Sequence, residues 1–204
     1  GGAKGGAADS PPSLDRLLLT LRDTTHDARS GKSRLDEARI VSLHAQVEQL
    51  YEDARQDIYY YLLTFGIDPG QAQDLSQETF LRLYMVLREG QQIRNERAWI
   101  FRVAHNLGLN ARASQKKVRP IGTDFEVPLP VAAENPERNL LEAERRSLLD
   151  RAIRELSPQQ RQCLLLRVEG LRYQEIAGIV GISISTVAEF LRRAVSKLKR
   201  VAHE

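Results

Sequence analysis

The chain has 204 residues, a formal net charge of +3, four histidines and a single cysteine, Cys163. That length suits one or two compact domains, the small basic excess is weak electrostatic ground for a nucleic-acid partner, and a lone cysteine excludes an internal disulfide or a cysteine metal cluster. No apolar run reaches the roughly 18–20 residues of a membrane-spanning helix, and the stretch Leu17–Leu19 is too short for a signal peptide, so the reading is of a cytoplasmic protein without membrane insertion.

Apolar residues recur at spacings of three and four, and alternation with period two is scarce, so the chain reads as all-α. Residues 1–34 are polar and rich in Gly and Ser. They read as a flexible N-terminal extension with one amphipathic patch at Leu14, Leu17, Leu18 and Leu21. The spacing predicts a helix over 36–65, with Ile40, Leu43, Val47, Leu50, Ala54, Ile58 and Leu62 on one stripe. Gly66 and the run Asp68-Pro69-Gly70 end it. A second helix is expected over 69–89, with Ala72, Leu75, Phe80, Leu83 and Leu87 apolar, and a third over 96–114, with Trp99, Ile100, Val103, Leu107 and Ala111 inward. These three share one core and make a first domain over 35–114.

Residues 115–136 carry Pro120, Pro128, Pro130 and Pro136 and switch from basic (Lys116, Lys117, Arg119) to acidic (Asp124, Glu126, Glu134), which reads as a flexible linker. A second domain occupies 137–204. Its first helix is expected over 136–156. Ser157 at the N-cap and Pro158 at the first helical position then start a helix that runs to Val168 and stops at Gly170.

The C-terminal end reads as a helix-turn-helix: a short helix over 173–180, a turn at Gly181, and a last helix to about 202. Ala177 lets the two helices approach, Ile182 fills the space beneath the turn, and Ser183 or Ser185 caps the second helix. Val187 and Leu191 face inward, which turns Thr186, Ala188, Glu189, Arg192 and Arg193 outward. From Ser157 onward eight basic residues stand against four acidic, and five of the eight lie on the final helix. That bias suits phosphate contact, although a plain helical hairpin with a solvated charged face would carry the same pattern.

The run 156–177, from Leu156-Ser157-Pro158-Gln159-Gln160-Arg161 to Gln174-Glu175-Ile176-Ala177, resembles domain four of bacterial RNA polymerase sigma factors of the extracytoplasmic-function group. In the first half, the run from Ala72-Gln73-Asp74 to Arg82-Leu83-Tyr84 resembles the polymerase-docking helix of sigma domain two. Arg97-Ala98-Trp99-Ile100-Phe101-Arg102-Val103-Ala104-His105-Asn106-Leu107 resembles its promoter-reading helix. The matches cover about 40–114 and 137–200. The proline-rich linker stands where larger sigma factors carry an intermediate domain.

The resemblance implies a transcription-initiation factor that binds core RNA polymerase and promoter DNA and is commonly held inactive by an anti-sigma factor. It implies core-polymerase contact at Asp74, Gln77, Glu78, Phe80, Leu81 and Arg82. It implies minus-ten contact at Trp99, Arg102, His105, Asn106, Asn110, Lys116 and Lys117. Minus-thirty-five contact falls to Ser183, Ser185, Thr186, Glu189, Arg192, Arg193 and Lys197. The residues supply a physical reading of their own. Arg102, Asn106 and Asn110 recur every four residues and form one stripe. Asn offers both donor and acceptor to a base edge, and Arg suits phosphate and stacking. Trp99 reads either as core or as a platform for an unstacked base.

The recognition helix departs from the family pattern, with Ala188, Glu189 and Phe190 where basic and small polar residues are usual. Glu accepts from cytosine N4 but repels phosphate. Two binding-class alternatives are a stand-alone helix-turn-helix regulator and a polymerase-binding adaptor that no longer reads DNA. A Gly-rich phosphate loop, a metal-ligand cluster and a nucleophile with a base are all missing from the sequence, so the reading has no enzyme, no cofactor and no metal.

Overall fold

The structure, a computed structural model, describes residues 34–118, 148–149 and 151–202. Among these residues the helices follow one another as α1 (Arg34–Leu63), α2 (Pro69–Arg88), α3 (Glu96–Val118), α4 (Pro158–Val168), α5 (Tyr173–Val180) and α6 (Ile184–Ala202). Residues 148–149 and 151–154 add a helical stretch ahead of α4, and no strand occurs among the described residues. The expected N-terminal extension, residues 119–136 of the expected linker, and most of the helix expected over 136–156 lie outside the described residues.

The first module is α1, α2 and α3. Asp68 caps α2 by accepting from the N–H groups of Gly70 (2.9 Å) and Gln71 (3.2 Å), with Pro69 in the first turn where its missing N–H costs nothing. Val47, Ala54, Ile58 and Leu62 of α1, Ala72, Phe80 and Leu83 of α2, and Ile100, Phe101 and Ala104 of α3 form the core. Ile40, expected on the inward stripe, is instead exposed near the start of α1. Aromatic rings fix the packing. Phe80 meets Tyr51 edge-on at 5.0 Å, and Tyr61 meets Phe101 at 5.4 Å and 90°. Gln115 donates to Gln71 across 2.8 Å and ties the end of α3 to α2. Helix α3 runs on to Val118, so residues 115–118, expected in the linker, continue the helix. Nothing in Gln115-Lys116-Lys117 breaks a helix. The first obstacle is Pro120, which restricts Arg119 before it.

The second module is α4, α5 and α6. Ser157 and Gln160 cap α4 reciprocally: Gln160 N–H donates to Ser157 Oγ (3.3 Å) and Ser157 N–H to Gln160 Oε1 (3.1 Å). Arg161 closes the preceding helical stretch by donating to the carbonyls of Arg154 and Leu156. Val187, Leu191 and Ala194 of α6 are buried within this module. The sequence reading treats the two modules as separately placed bodies. In the structure they dock, α5 packing on α3, and one apolar cluster runs from Leu43 and Ile58 through Cys163 and Leu166 to Val187 and Leu191.

Candidate nucleic-acid interface

The helix-turn-helix forms as the sequence predicts. Gly181 closes α5 at φ +75°, ψ +35°, a left-handed conformation that a side chain would strain. Its N–H donates to the Ala177 carbonyl at 2.9 Å. The chain then turns so that α6 leaves α5 at 102°, within the range that sends a second helix into a major groove. Ser183 caps α6, its Oγ accepting from Thr186 N–H at 3.1 Å. The hydroxyls of Ser185 and Thr186 lie 2.8 and 2.7 Å from the same oxygen. Val187 and Leu191 are buried, and Arg192 and Arg193 are exposed.

Charge on α6 is distributed differently from the expectation. Glu189 accepts twice from Arg192 (3.0 and 2.9 Å) and once from Arg193 (2.6 Å), and those hydrogen bonds hold its carboxyl down at about 2. A carboxylate so occupied reaches cytosine N4 only by releasing an arginine. Lys197, expected on the DNA, is drawn away: its Nζ pairs with Glu155 at 2.7 Å and donates to the Glu155 carbonyl at 3.3 Å. Lys199 and Arg200 stand outside the expected contact set. They line an open groove with Arg192, Val195 and Ser196. Spacings of three and four from Arg192 would have found them.

On α3, Arg102, Asn106 and Asn110 are all exposed and form the expected stripe, with exposed Leu109 beside it. Trp99 is half-buried and packs against the shared core. His105 corrects the expectation. It is 4% exposed, its Nδ1 lies 2.8 Å from the Tyr61 hydroxyl, and the Phe65 ring packs edge-on at 5.3 Å. Burial pushes the imidazole down to about 4 and the Tyr61 phenol well up. The ring is neutral and the phenol protonated, so the two share one hydrogen bond whose donor is set by the imidazole tautomer. His105 is therefore a core residue and cannot touch DNA without unfolding its surroundings. Lys116 and Lys117 lie on the last turn of α3, and their side chains fall outside the described ones.

On α2, Asp74 and Arg82 are exposed and Gln77, Glu78 and Leu81 half-buried, so these five share an accessible surface. Arg82 donates to Glu78 at 3.0 and 2.5 Å. Phe80 is the second correction, because it is fully buried against Tyr51 and supports α2 from below. Phe80 lies between buried Thr79 and half-buried Leu81, and His105 beside exposed Asn106, so both belong to the core-facing sides of their helices.

Among the described residues no three His, Cys, Asp or Glu side chains converge as a metal-ligand set, and no single helix is long and apolar enough to cross a membrane.

Comparison with known proteins places this geometry. The family model for sigma-70 region 2 matches residues 50–118, and that for sigma-70 region 4 matches 146–198. The sigma factor BldN of Streptomyces coelicolor is 30% identical over 155 residues, which are 75% of this chain and 59% of BldN, so the chain spans under two thirds of that relative. SigM of Bacillus subtilis is 29% identical over 75% of this chain and 93% of SigM. In fold, the chain resembles the sigma factor RpoE of Bartonella quintana, solved with the anti-sigma factor NepR, at a TM-score of 0.56 and 20% identity over 76% of this chain and 96% of that one. It also resembles CnrH, solved with the cytosolic domain of CnrY, at 0.50 and 19% over 83% and 95%. Both sigma-70 regions are thus present in the family's order, and the chain belongs to the extracytoplasmic-function group of sigma-70 factors.

Proposed function

We propose that this chain is a sigma factor that joins core RNA polymerase in the cytoplasm, directs it to promoters and stabilises the melted DNA, acting by binding energy without covalent chemistry. The observation that carries this reading is the pairing of an exposed Arg102-Asn106-Asn110 stripe on α3 with a capped, open-faced α6 after Gly181, in a chain holding both sigma-70 regions.

In this reading 35–114 is the module for core polymerase and the minus-ten element, 115–136 the tether, and 137–204 the module for the minus-thirty-five element. Residues 1–34 are an extension outside both. Asp74, Gln77, Glu78, Leu81 and Arg82 of α2 meet the polymerase. Arg102, Asn106 and Asn110, with Lys116 and Lys117, take the separated strand, where unstacked bases expose their edges. Ser183, Ser185 and Thr186 at the start of α6 meet the upstream groove and its phosphates, with Arg192 and Arg193 on the backbone. An anti-sigma partner of the kind that binds RpoE in its solved complex completes the set.

Run-off transcription with purified core polymerase on genomic DNA tests the reading. Start sites that require the chain are expected. Unchanged transcription, together with tight specific duplex binding by the chain alone, would replace it with a stand-alone regulator.

A further inference from the structure

Among the described residues, the core stripe of α1 outruns its partners. His44 stacks on Tyr84 at 5.0 Å, and Tyr84 stands four residues from the end of α2. Gln46 donates at 2.6 Å to Glu96, the first residue of α3. Ten residues of α1 precede His44, against four of α2 beyond Tyr84. About six residues of α1, or about 9 Å at 1.5 Å per residue, therefore extend past both neighbours. Burial fades along the stripe in step: Val47 is 0% exposed, Leu43 9% and Ile40 41%. Val41, next to Ile40, is 67% exposed. The turn at Gly90 comes back to the Arg39 guanidinium and leaves both of these side chains open.

Ile40, Val41, His44 and Ala45 share one side of α1 by helical period, and Ala45 is exposed as well. His44 lies in the midst of that side. Its Nε2 is shut from solvent with no hydrogen-bond partner among the described residues, a state that buried polar atoms rarely keep. A short amphipathic helix is the shape that fits such a face, and the sequence carries one ahead of α1. Leu14, Leu17, Leu18 and Leu21 recur at i, i+3, i+4 and i+7, with Ser13 at the N-cap position behind Pro11-Pro12 and Asp15 in the first turn. Eight residues of helix measure about 12 Å, enough to cover the overhang. Two turns do not hold in water alone, so the leucine face needs a surface. The connection to α1 is residues 22–33, mostly polar with Gly31 among them. Fully extended it spans about 40 Å, ample for a return along α1. A tether so short keeps the segment beside this face at roughly millimolar effective concentration, which favours it over a second copy or an unrelated partner.

We propose that residues 14–21 of this chain fold back as a two-turn helix on the Ile40–Val41–Ala45 face of α1, forming a helical hairpin that completes the first module. The leucines cover Ile40 and Val41, and α1 gains a partner where α2 and α3 stop. Leu19 falls on the opposite side of the added helix by period and takes no part. The contact is intramolecular. It draws on neither the promoter reading of α3 nor the polymerase reading of α2.

Amide hydrogen exchange on the full chain tests the hairpin. In Leu17→Asp/Leu18→Asp, residues 38–43 are expected to exchange at least about tenfold faster than in the wild type, because two leucines leave the docked face and local opening sets the rate. Residues 47–62, inside the module core, are expected to keep their rates. Leu19→Asp is expected to behave as the wild type. Val41→Asp cuts the same contact from the other side and is expected to speed exchange as the leucine pair does. Combining the two is expected to add nothing further, as for two cuts in one contact. The protection is expected to survive roughly a hundredfold dilution, since tether and target share one chain. Three results would overturn the hairpin. Residues 38–43 of the wild type could exchange as fast as in the leucine variant, which leaves the face open for a different partner. Leu19→Asp could act as strongly as the pair, or the protection could fade on dilution, which makes a second copy the occupant. Run-off transcription stands apart: its failure removes the promoter reading and leaves the hairpin untouched.

Discussion

Phe65 occupies the space where a side chain at position 108 would begin: a Cβ on Gly108 would stand 2.7 Å from Cδ2 of the Phe65 ring. Glycine in a helix interior ordinarily costs about 1 kcal/mol relative to alanine, so α3 carries Gly108 because the ring at the end of α1 needs that groove. Phe65 also packs on Tyr61 and on His105, and the ring has nowhere to retreat. Gly108→Ala is therefore expected to destabilise the chain by about 1–3 kcal/mol despite its better helix propensity, the usual cost of overpacking. Urea unfolding followed by circular dichroism measures it, and a stabilised variant would contradict the packing.

The buried His105 gives stability a defined pH dependence. Its folded value of about 4 lies below the ordinary 6.5, so the unfolded chain binds the extra proton more readily. The contribution is fully present above about pH 6.5, falls as the pH drops toward 4, and is lost below that. Between pH 7 and pH 5 the wild type is expected to lose about 2 kcal/mol through this group. His105→Gln keeps a hydrogen-bonding group for Tyr61, able to donate or accept, but does not titrate. Unfolding free energies of both proteins at the two pH values isolate the effect, and parallel pH dependence would rule it out.

The α2 surface separates docking from folding. Phe80→Ala removes a fully buried ring and is expected to cost about 3–5 kcal/mol of stability. Asp74→Ala, at an exposed position, is expected to leave stability within about 0.5 kcal/mol while weakening capture of core polymerase. Paired unfolding and polymerase pull-down measurements check this. Equal effects on both readouts from Asp74→Ala would remove α2 from the docking surface.

What the sequence discloses depends on how locally each signal acts. Ser157-Pro158 and Asp68-Pro69 state helix starts outright, because a cap and the residues it satisfies are two or three positions apart. The Gly181 turn and the burial of Val187 and Leu191 follow from one short pattern. The exposed Arg102-Asn106-Asn110 stripe follows from helical period alone. Phe80 and His105 lie inside family motifs, and a motif does not distinguish a residue that touches a partner from one that props up its neighbours. The hydrogen bonds between the modules, Arg97–Glu169, Asn95–Glu175 and Thr64–Gln162, left no periodic trace, since each pairs ordinary polar residues far apart in the chain. The pairing of Lys197 with Glu155 likewise left no trace, since Glu155 lies in the turn ahead of α4, 42 residues away in the chain.

Glu189 decides how much free positive charge α6 carries, and in the proposed function that is the charge DNA would meet. Its carboxylate holds Arg192 and Arg193 at once, so a pair of guanidiniums that would otherwise reach for phosphate is partly neutralised in place. Glu189→Gln removes one negative charge from α6 and loosens both arginines. Holoenzyme carrying the variant is expected to bind promoter duplex more tightly at low salt and to show a log–log salt slope steeper by about one, the value for one further neutralised phosphate. Discrimination between promoters is expected to fall, because the gain is electrostatic and blind to sequence. Titrations of holoenzyme on matched and scrambled upstream elements at several salt concentrations measure all three quantities. A variant that loses affinity for the matched element alone, with the slope unchanged, would instead make Glu189 a direct reader of a base edge.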